Sequence, residues 1–414
     1  EGAVQSTVDI LKTLKEKVVN AANDTNTDMD RQTIQKELNQ SVDQINDNAN
    51  VTYNGKYLID GSHNSQVVHD TLTRGGYTYS NNTINDMVAA GTPPRGTFTH
   101  LTNYSLATDT TYNTFFTDLK NRNGESLGIQ STDTITLSIV QEGKTYTTSF
   151  QAGLLRFHDL MLNAMQAKYG DTKIDDWALW LGDHQGTYDG VTVVGAESYI
   201  GQDASGNDLY TPDGEAAFTW VAATAGLSHQ VAGFTVSVTD NEGNIKKSVN
   251  AVLDDWRETI RAQEESPDNS LVLQVGTKAN QSIKVGFTDM RARALGLQGA
   301  DGTVLNISTQ IYANAAVNVL DNAMQKALDE QTKIGSIQSR LAYTSANLTT
   351  ASENVTASES TIRDADMAKE MTEYTKHNLL LQASQSMLSQ ANQSASNVLS
   401  LLQQTFRKKQ KRAA

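Results

Sequence analysis

Residues 320–362 read LDNAMQKALDEQTKIGSIQSRLAYTSANLTTASENVTASESTI, and this stretch decides the fold. Leu320, Ala327, Ile334, Leu341, Leu348, Val355 and Ile362 recur at intervals of seven, with Ala323, Ile337, Thr344, Ala351 and Ser358 at the interleaved fourth positions. An apolar seven-residue period kept up this long marks a helix whose seam must be covered by other helices along its whole length. At about 1.5 Å per residue it is a rod of roughly 60 Å. Large aliphatics alternate with small residues rather than with a second row of leucines, which suits close packing in a multi-helix rod over a two-stranded zipper. The competing reading, one core helix of a globular domain, has to explain a run well beyond the roughly 25 uncapped residues that such helices reach.

The same seven-residue spacing returns at the other end of the chain. Val4, Leu11 and Val18 alternate with Thr7, Leu14 and Ala21, which predicts a second helix over residues 1–22 with the period of the first. Asn23 to Asp28 is a turn and cap cluster, and Met29, Ile34, Leu38, Val42 and Ile45 predict a third amphipathic helix to about Asn48. Tyr53-Asn54-Gly55-Lys56 reads as a hairpin turn. These two helices are the expected cover for the 320–362 seam, some 270 residues away in sequence.

Between the helical ends the texture changes. From Ser62 to Glu265 short alternating segments are punctuated by Gly, Asn and Asp, and all four tryptophans lie here. Thr134 to Phe150 predicts a hairpin turning at Glu142-Gly143, Phe234–Thr239 with Asn244–Val249 another, and Leu154–Tyr169 and Val252–Ala262 predict helices. Leu271–Phe287 is strand-like, Asp289–Gly302 a loop, and the helical pattern resumes at Ile307. The period breaks near Lys369, after which Leu379, Leu380, Ala383, Met387, Leu388, Ala391, Val398, Leu401 and Leu402 form an apolar stripe on an almost uncharged, Gln-, Ser- and Asn-rich helix. Such a helix gains most of its stability from a partner rather than from propensity.

Composition excludes several classes. No apolar run nears the roughly 18 residues of a membrane span. A net charge of −14 opposes general nucleic-acid binding, which needs a basic face. Cysteine is absent, so disulfide stapling, thiolate metal sites and a cysteine nucleophile are excluded. The four prolines all lie between positions 93 and 267, leaving both helical flanks unbroken. The chain opens at Glu1-Gly2-Ala3 in mid-pattern, as expected of a fragment or processed chain.

Several motifs resemble those of bacterial flagellin. Ser339-Arg340-Leu341 through Asn347-Leu348, and Glu359-Ser360-Thr361-Ile362-Arg363-Asp364-Ala365-Asp366-Met367-Ala368-Lys369-Glu370-Met371, are similar to that family's C-terminal helix. Gln382 to Gln393 and Val398 to Leu402 resemble its terminal helix, with further matches at Glu1-Gly2-Ala3, Asn54-Gly55, Gln274-Val275-Gly276, Asp289-Met290 and Leu295-Gly296-Leu297. The resemblance covers roughly residues 1–62 and 271–402. It implies an α+β chain: a long antiparallel helical coiled-coil rod built from both termini, with an inserted β-rich α+β variable outer region. The expected parts are 1–62 and 268–372 as the two halves of the rod, 63–267 as the outer region, 373–403 as an inner-core helix and 404–414 as a basic tail, either added, non-native sequence or a real extension into the filament's lumen.

By resemblance the chain is a subunit of the flagellar filament. Its expected partners are other flagellin subunits, an export chaperone and the filament cap, with no nucleic acid, membrane or cofactor. The rod residues expected to pack are Val4, Leu11, Leu14, Val18, Ile34, Leu38, Ile334, Ile337, Leu341, Leu348, Val355 and Ile362, and the apolar stripe from Leu379 to Leu402 is expected to order on assembly. The family's inner layer also has an N-terminal helix that would precede Glu1, so this chain by itself is not expected to polymerise. Flagellins that activate Toll-like receptor 5 carry an Arg and, four residues on, a Leu on the first rod helix, and a Glu on the second; the matching positions are Thr13, Lys17 and Glu37. Only the Glu agrees, which implies weak signalling. An adhesin-like outer region and the related hook–filament junction protein are the alternatives.

No enzyme is expected. Histidines at positions 63, 69, 158, 184 and 229 lack the spacing of a zinc-protease helix, and no nucleophile elbow or phosphate loop appears. Asp171, Asp175 and Asp176 near Trp177 and Trp180 remain a carbohydrate or metal candidate against the alternative of ordinary core packing.

Overall fold

A computed structural model describes all residues except 68–71, 75–76, 80–98, 112, 158, 161–162, 164–176, 179–185, 189–190, 194–198, 204–206, 223–225, 365 and 411–414. The chain forms two compact units, Glu1–Leu341 and Ala342–Ala414.

The first unit is built on three helices. Helix α1 (Gly2–Ala21) and α2 (Asp28–Ala49) are antiparallel, tied by Lys17–Glu37 at one end and by Asn48 to Ser6 and Thr7 at the other. Thr27 and Asp30 form a capping box at the start of α2. A long helix, called α4 (Gln310–Arg363), runs antiparallel to α1, as the pairs Lys15–Asp321, Gln5–Gln331 and Glu1–Gln338 show. Val4, Val8, Leu11, Leu14 and Val18 of α1, Leu38, Val42 and Ile45 of α2, and Ala316, Val319, Leu320, Ala323, Ala327 and Ile334 of α4 share one core. The alanines of α4 remove bulk on the seam, which lets backbones approach closely.

The strand-rich region belongs to this same unit. Strands β1 (Thr52–Tyr53) and β2 (Lys56–Tyr57) form the expected Asn-Gly hairpin. The main strands are β3 (His100–Asn103), β4 (Thr134–Gln141), β5 (Lys144–Gln151), β6 (Trp177–Ala178), β7 (Phe218–Ala222), β8 (Val231–Thr239) and β9 (Trp256–Ile260). They make a three-stranded sheet ordered β8-β4-β5 and a four-stranded one ordered β9-β3-β7-β6. In register, Phe234 faces Ile139, Val236 faces Leu137 and Val238 faces Ile135. These join Leu101, Phe157, Phe218, Trp220 and Trp256 in a second core, in which Phe157 meets Phe218 edge-on at 4.7 Å and Phe234 meets Trp256 at 5.1 Å. A final hairpin pairs β10 (Leu271–Gln274) with β11 (Ser282–Val285).

What joins the second core to the helices is the outer edge of β8. On alternate residues its backbone groups are taken by side chains instead of a neighbouring strand. Asn322 donates to the Ala232 carbonyl at 2.9 Å and Asn318 to the Phe234 carbonyl at 3.2 Å, both from α4. The Val236 N–H donates to Asp254 at 3.2 Å and the Val238 N–H to Asn250 at 2.7 Å, from the end and the body of α3 (Lys247–Leu253). The spacing explains the match: four helical residues advance about 6 Å and two strand residues roughly 6.7 Å. One turn further along α4, Lys326 pairs with Glu258 of β9 at 2.6 Å, with both side chains buried. Burial pushes the lysine's pKa below its usual value against the pull of Glu258. The backbones meet at Gly233, where an added Cβ would lie 2.6 Å from Val319 Cγ2 and 3.2 Å from the Val319 nitrogen.

Four sequence expectations are corrected. Residues 256–260 form strand β9, not the second half of a helix, because Trp256–Ile260 pairs with His100–Asn103; only Lys247–Leu253 is helical. Asn244–Val249 returns along β8 only as far as a bridge from Ile245 to Thr239 before α3 begins at Lys247, and β8 takes β4 as its strand partner. Residues 152–157 are turns, with a bridge from Phe115 to Arg156, so the helix expected from Leu154 does not begin there; residues 159, 160 and 163 are helical, and most of the remainder of 154–169 lies outside the described residues. Helix α4 ends at Arg363, and the Asp366 carboxylate accepts the N–H groups of Ala368 and Lys369 and opens α5 (Met367–Gln410) two residues before the loss of heptad spacing at Lys369 suggests.

The approach at Gly233 gives a direct test. Gly233→Ala is expected to destabilise the protein by roughly 1–3 kcal/mol in denaturant titration, since Val319 is β-branched and fixed in one helical rotamer. Combined with Val319→Ala, the loss is expected to fall below the sum of the two single losses.

Candidate assembly surface

The residues predicted to pack the rod divide into two groups. Val4, Leu11, Leu14, Val18, Leu38 and Ile334 are buried, and Ile34, Ile337 and Leu341 are half-buried. Leu348, Val355 and Ile362, predicted to lie under the same cover, are exposed at 40%, 67% and 87%. The expectation that helices 1–22 and 29–48 cover the whole seam is corrected. The reason is length: the 20 residues of α1 span about 30 Å and the 54 of α4 about 80 Å. Glu1 reaches only to Gln338.

Helix α5 carries the apolar stripe read from sequence. Leu379, Leu380, Ala383, Met387, Leu388, Ala391, Val398, Leu401 and Leu402 are all exposed. Sequence reasoning passed over Tyr374, Leu381, Leu399 and Phe406, which are exposed as well. With Leu388 they form a second stripe about a quarter turn from the first, and the Leu379-Leu380-Leu381 run was the available signal. Single exposed apolar residues are ordinary, but contiguous ones along 40 residues mark an interaction surface. A helix apolar on two faces, with Gln, Ser and Asn on the rest, is suited to burial between several neighbours.

The three positions matched to the receptor-facing motif share the α1–α2 surface. Lys17 and Glu37 form an ion pair, and the Thr13 hydroxyl donates to the Asp9 carbonyl at 3.1 Å. The glutamate that agrees with the motif is thus engaged by the lysine that departs from it. Near it lies a device no pattern announced: buried Arg31 donates from Nε to the Ala21 carbonyl and from Nη2 to the Asn23 carbonyl, both at 2.9 Å. It caps the C-terminus of α1 from the first turn of α2 and sets the angle of the helical hairpin.

Among the described residues no group of three His, Cys, Asp or Glu side chains could hold a metal ion. His63 contacts the Asn269 carbonyl and His229 the Ser228 hydroxyl. His69, His158, His184, Asp171, Asp175, Asp176 and Trp180 lie outside the described residues. No helix among the described residues is long and apolar enough to cross a membrane.

Residues 1–64 match the bacterial flagellin N-terminal helical region and residues 317–402 the bacterial flagellin C-terminal helical region. Flagellin of Bacillus subtilis (strain 168) is 43% identical over 163 residues, 35% of this chain and 54% of that one, so the chain spans about half of that relative's length. Flagellin of Clostridium tyrobutyricum is 29% identical over 394 residues, covering 95% of this chain and 79% of the relative. The flagellin-like YvzB of Bacillus subtilis is 42% identical over 138 residues, 32% of this chain and 82% of its own length. With both helical ends of the rod matched and a relative covered over four-fifths of its length at that identity, this chain belongs to the bacterial flagellin family.

Proposed function

We propose that the chain is a structural subunit of the extracellular bacterial flagellar filament, and that it self-assembles by helix packing to serve swimming motility. The observation that carries this reading is the uncovered apolar surface of residues 348–406. Burying it at about 25 cal/mol per Å² favours association with like helices, and the family's filament supplies them. The matches at both helical ends, and the flagellin names of the relatives, support the same reading.

Two finer readings follow. Before assembly the stripes of α5 need a temporary cover, the part the family's export chaperone would take, and the filament cap would receive the subunit at the growing end. Receptor signalling through Toll-like receptor 5 is weak, because Thr13 and Lys17 stand where activating members have Arg and Leu, and Lys17 occupies Glu37.

Three outcomes are expected. In a verified monomer the amides of residues 379–402 exchange far faster than those of α1, and full protection there would contradict assembly-dependent ordering. Bacteria expressing the protein with the N-terminal helix expected to precede Glu1 in place form filaments by electron microscopy, Met387→Glu with Leu401→Glu abolishes them, and Gln393→Glu on the remaining polar face leaves them intact. In a receptor reporter assay, Thr13→Arg with Lys17→Leu raises potency about tenfold or more, each anchor contributing over roughly 1 kcal/mol; a native response equal to the double variant would refute the weak-signalling reading.

A further inference from the structure

At Asp254 the edge of β8 and the long helix α4 meet at a single side-chain atom. The Asp254 Oδ1 accepts the Val236 N–H at 3.2 Å and the Asn318 amide at 3.0 Å. The same Asn318 amide reaches the Phe234 carbonyl and the Thr235 hydroxyl. Next along the edge, Val238 is bonded to Asn250, which does not titrate. Two adjacent contacts on one strand edge therefore differ in whether their acceptor can carry charge.

The groups facing Asp254 are neutral on three sides. Strand β8 presents its backbone and the Thr235 hydroxyl, α4 presents Asn318, and α3 presents Asn250. The charge that acts on it is Asp255, itself held by Arg257 at 3.1 Å and by the Ser105 hydroxyl at 2.6 Å. The Asp254 carboxyl thus has a like charge beside it and no cation of its own among these contacts.

We propose that Asp254 is a proton-operated latch that sets how firmly the strand-rich region is held on α4. With the proton bound, the carbonyl oxygen keeps both accepted hydrogen bonds and no charge is buried. With the proton lost, the junction holds an uncompensated carboxylate beside Asp255 and opens more readily. Desolvation, chiefly, pushes the carboxyl up to about 7 from an ordinary 3.8, outweighing the Val236 and Asn318 hydrogen bonds that favour the charged form, with a smaller upward push from the neighbouring Asp255. The folded chain therefore keeps this proton over a range where the unfolded chain has lost it. The stabilisation is complete below about pH 4, declines as pH rises, and is gone above about pH 7.

The test is amide exchange on the intact chain, expressed as protection factors so that the intrinsic pH dependence cancels. Between pH 5.5 and 8, protection at Val236 is expected to fall at least tenfold, while Val238 on the neutral Asn250 contact stays level. Asp254→Asn is expected to hold Val236 protection constant across the range. Asp255→Asn, which leaves the latch in place, is expected to move the midpoint to lower pH, and it keeps the proposal testable if Asp254→Asn misfolds. A wild-type profile that is flat at Val236, one that Asp254→Asn reproduces, or a midpoint unmoved by Asp255→Asn would each overturn the proposal.

Discussion

Helix α4 satisfies two different neighbours with two different chemistries on one cylinder. Its apolar seam at Leu320, Ala323, Ala327 and Ile334 belongs to the core shared with α1 and α2. Its polar stripe at Asn318, Asn322 and Lys326 serves the strands. Both work only because a four-residue step on a helix nearly equals a two-residue step on a strand. The mismatch of under 1 Å per repeat is tolerable over three contacts and would accumulate over more. The closeness also requires a residue without a side chain at position 233.

The polar contacts contribute more to register than to strength. Burying Lys326 against Glu258 costs desolvation that the pairing only partly returns, so the pair is a poor source of net stability. A shift of α4 by one turn, however, would leave both charges buried and unpaired, along with two asparagines. The apolar seam is tolerant of such slips, since a heptad pattern of small and large aliphatics repeats itself. Arg31 acts in the same way at the turn between α1 and α2, where it can reach the Ala21 and Asn23 carbonyls from only one geometry.

How much of this was legible depended on the range over which each feature is written. The seam, the helices at 1–22 and 29–48 and the Glu142-Gly143 hairpin are written in local spacing, and the structure has them there. Strand β9 is not. Trp256 to Ile260 follows a helix and keeps helix-compatible apolar spacing, and only pairing with β3, some 150 residues away, makes it extended. The stripe of Asn318, Asn322 and Lys326 was equally hidden, because polar residues four apart on a helix normally mean a solvated face. The apolar stripe of α5 could be read from composition, but its spacing does not say what covers it. Leu348, Val355 and Ile362 were misjudged for the same reason: a heptad states that a seam must be covered, not by which helix.

The hairpin tip at Glu142-Gly143 has positive φ at both residues, 50° and 73°, as a tight two-residue turn requires. It does not project into solvent. A Cβ on Gly143 would lie 2.4 Å from the Thr303 carbonyl, one on Gly299 equally close to the Glu142 carbonyl, and Lys144 pairs with Asp301 at 2.7 Å. For anyone wishing to display a foreign peptide on this protein, the most obvious hairpin is thus the wrong place to cut. The turn at Asp240–Asn244, closed by its own Asp240 carboxylate and by backbone hydrogen bonds among Asp240, Gly243 and Asn244, and exposed around Gly243, is the site at which the chain can be lengthened without unlocking the strands from the rod.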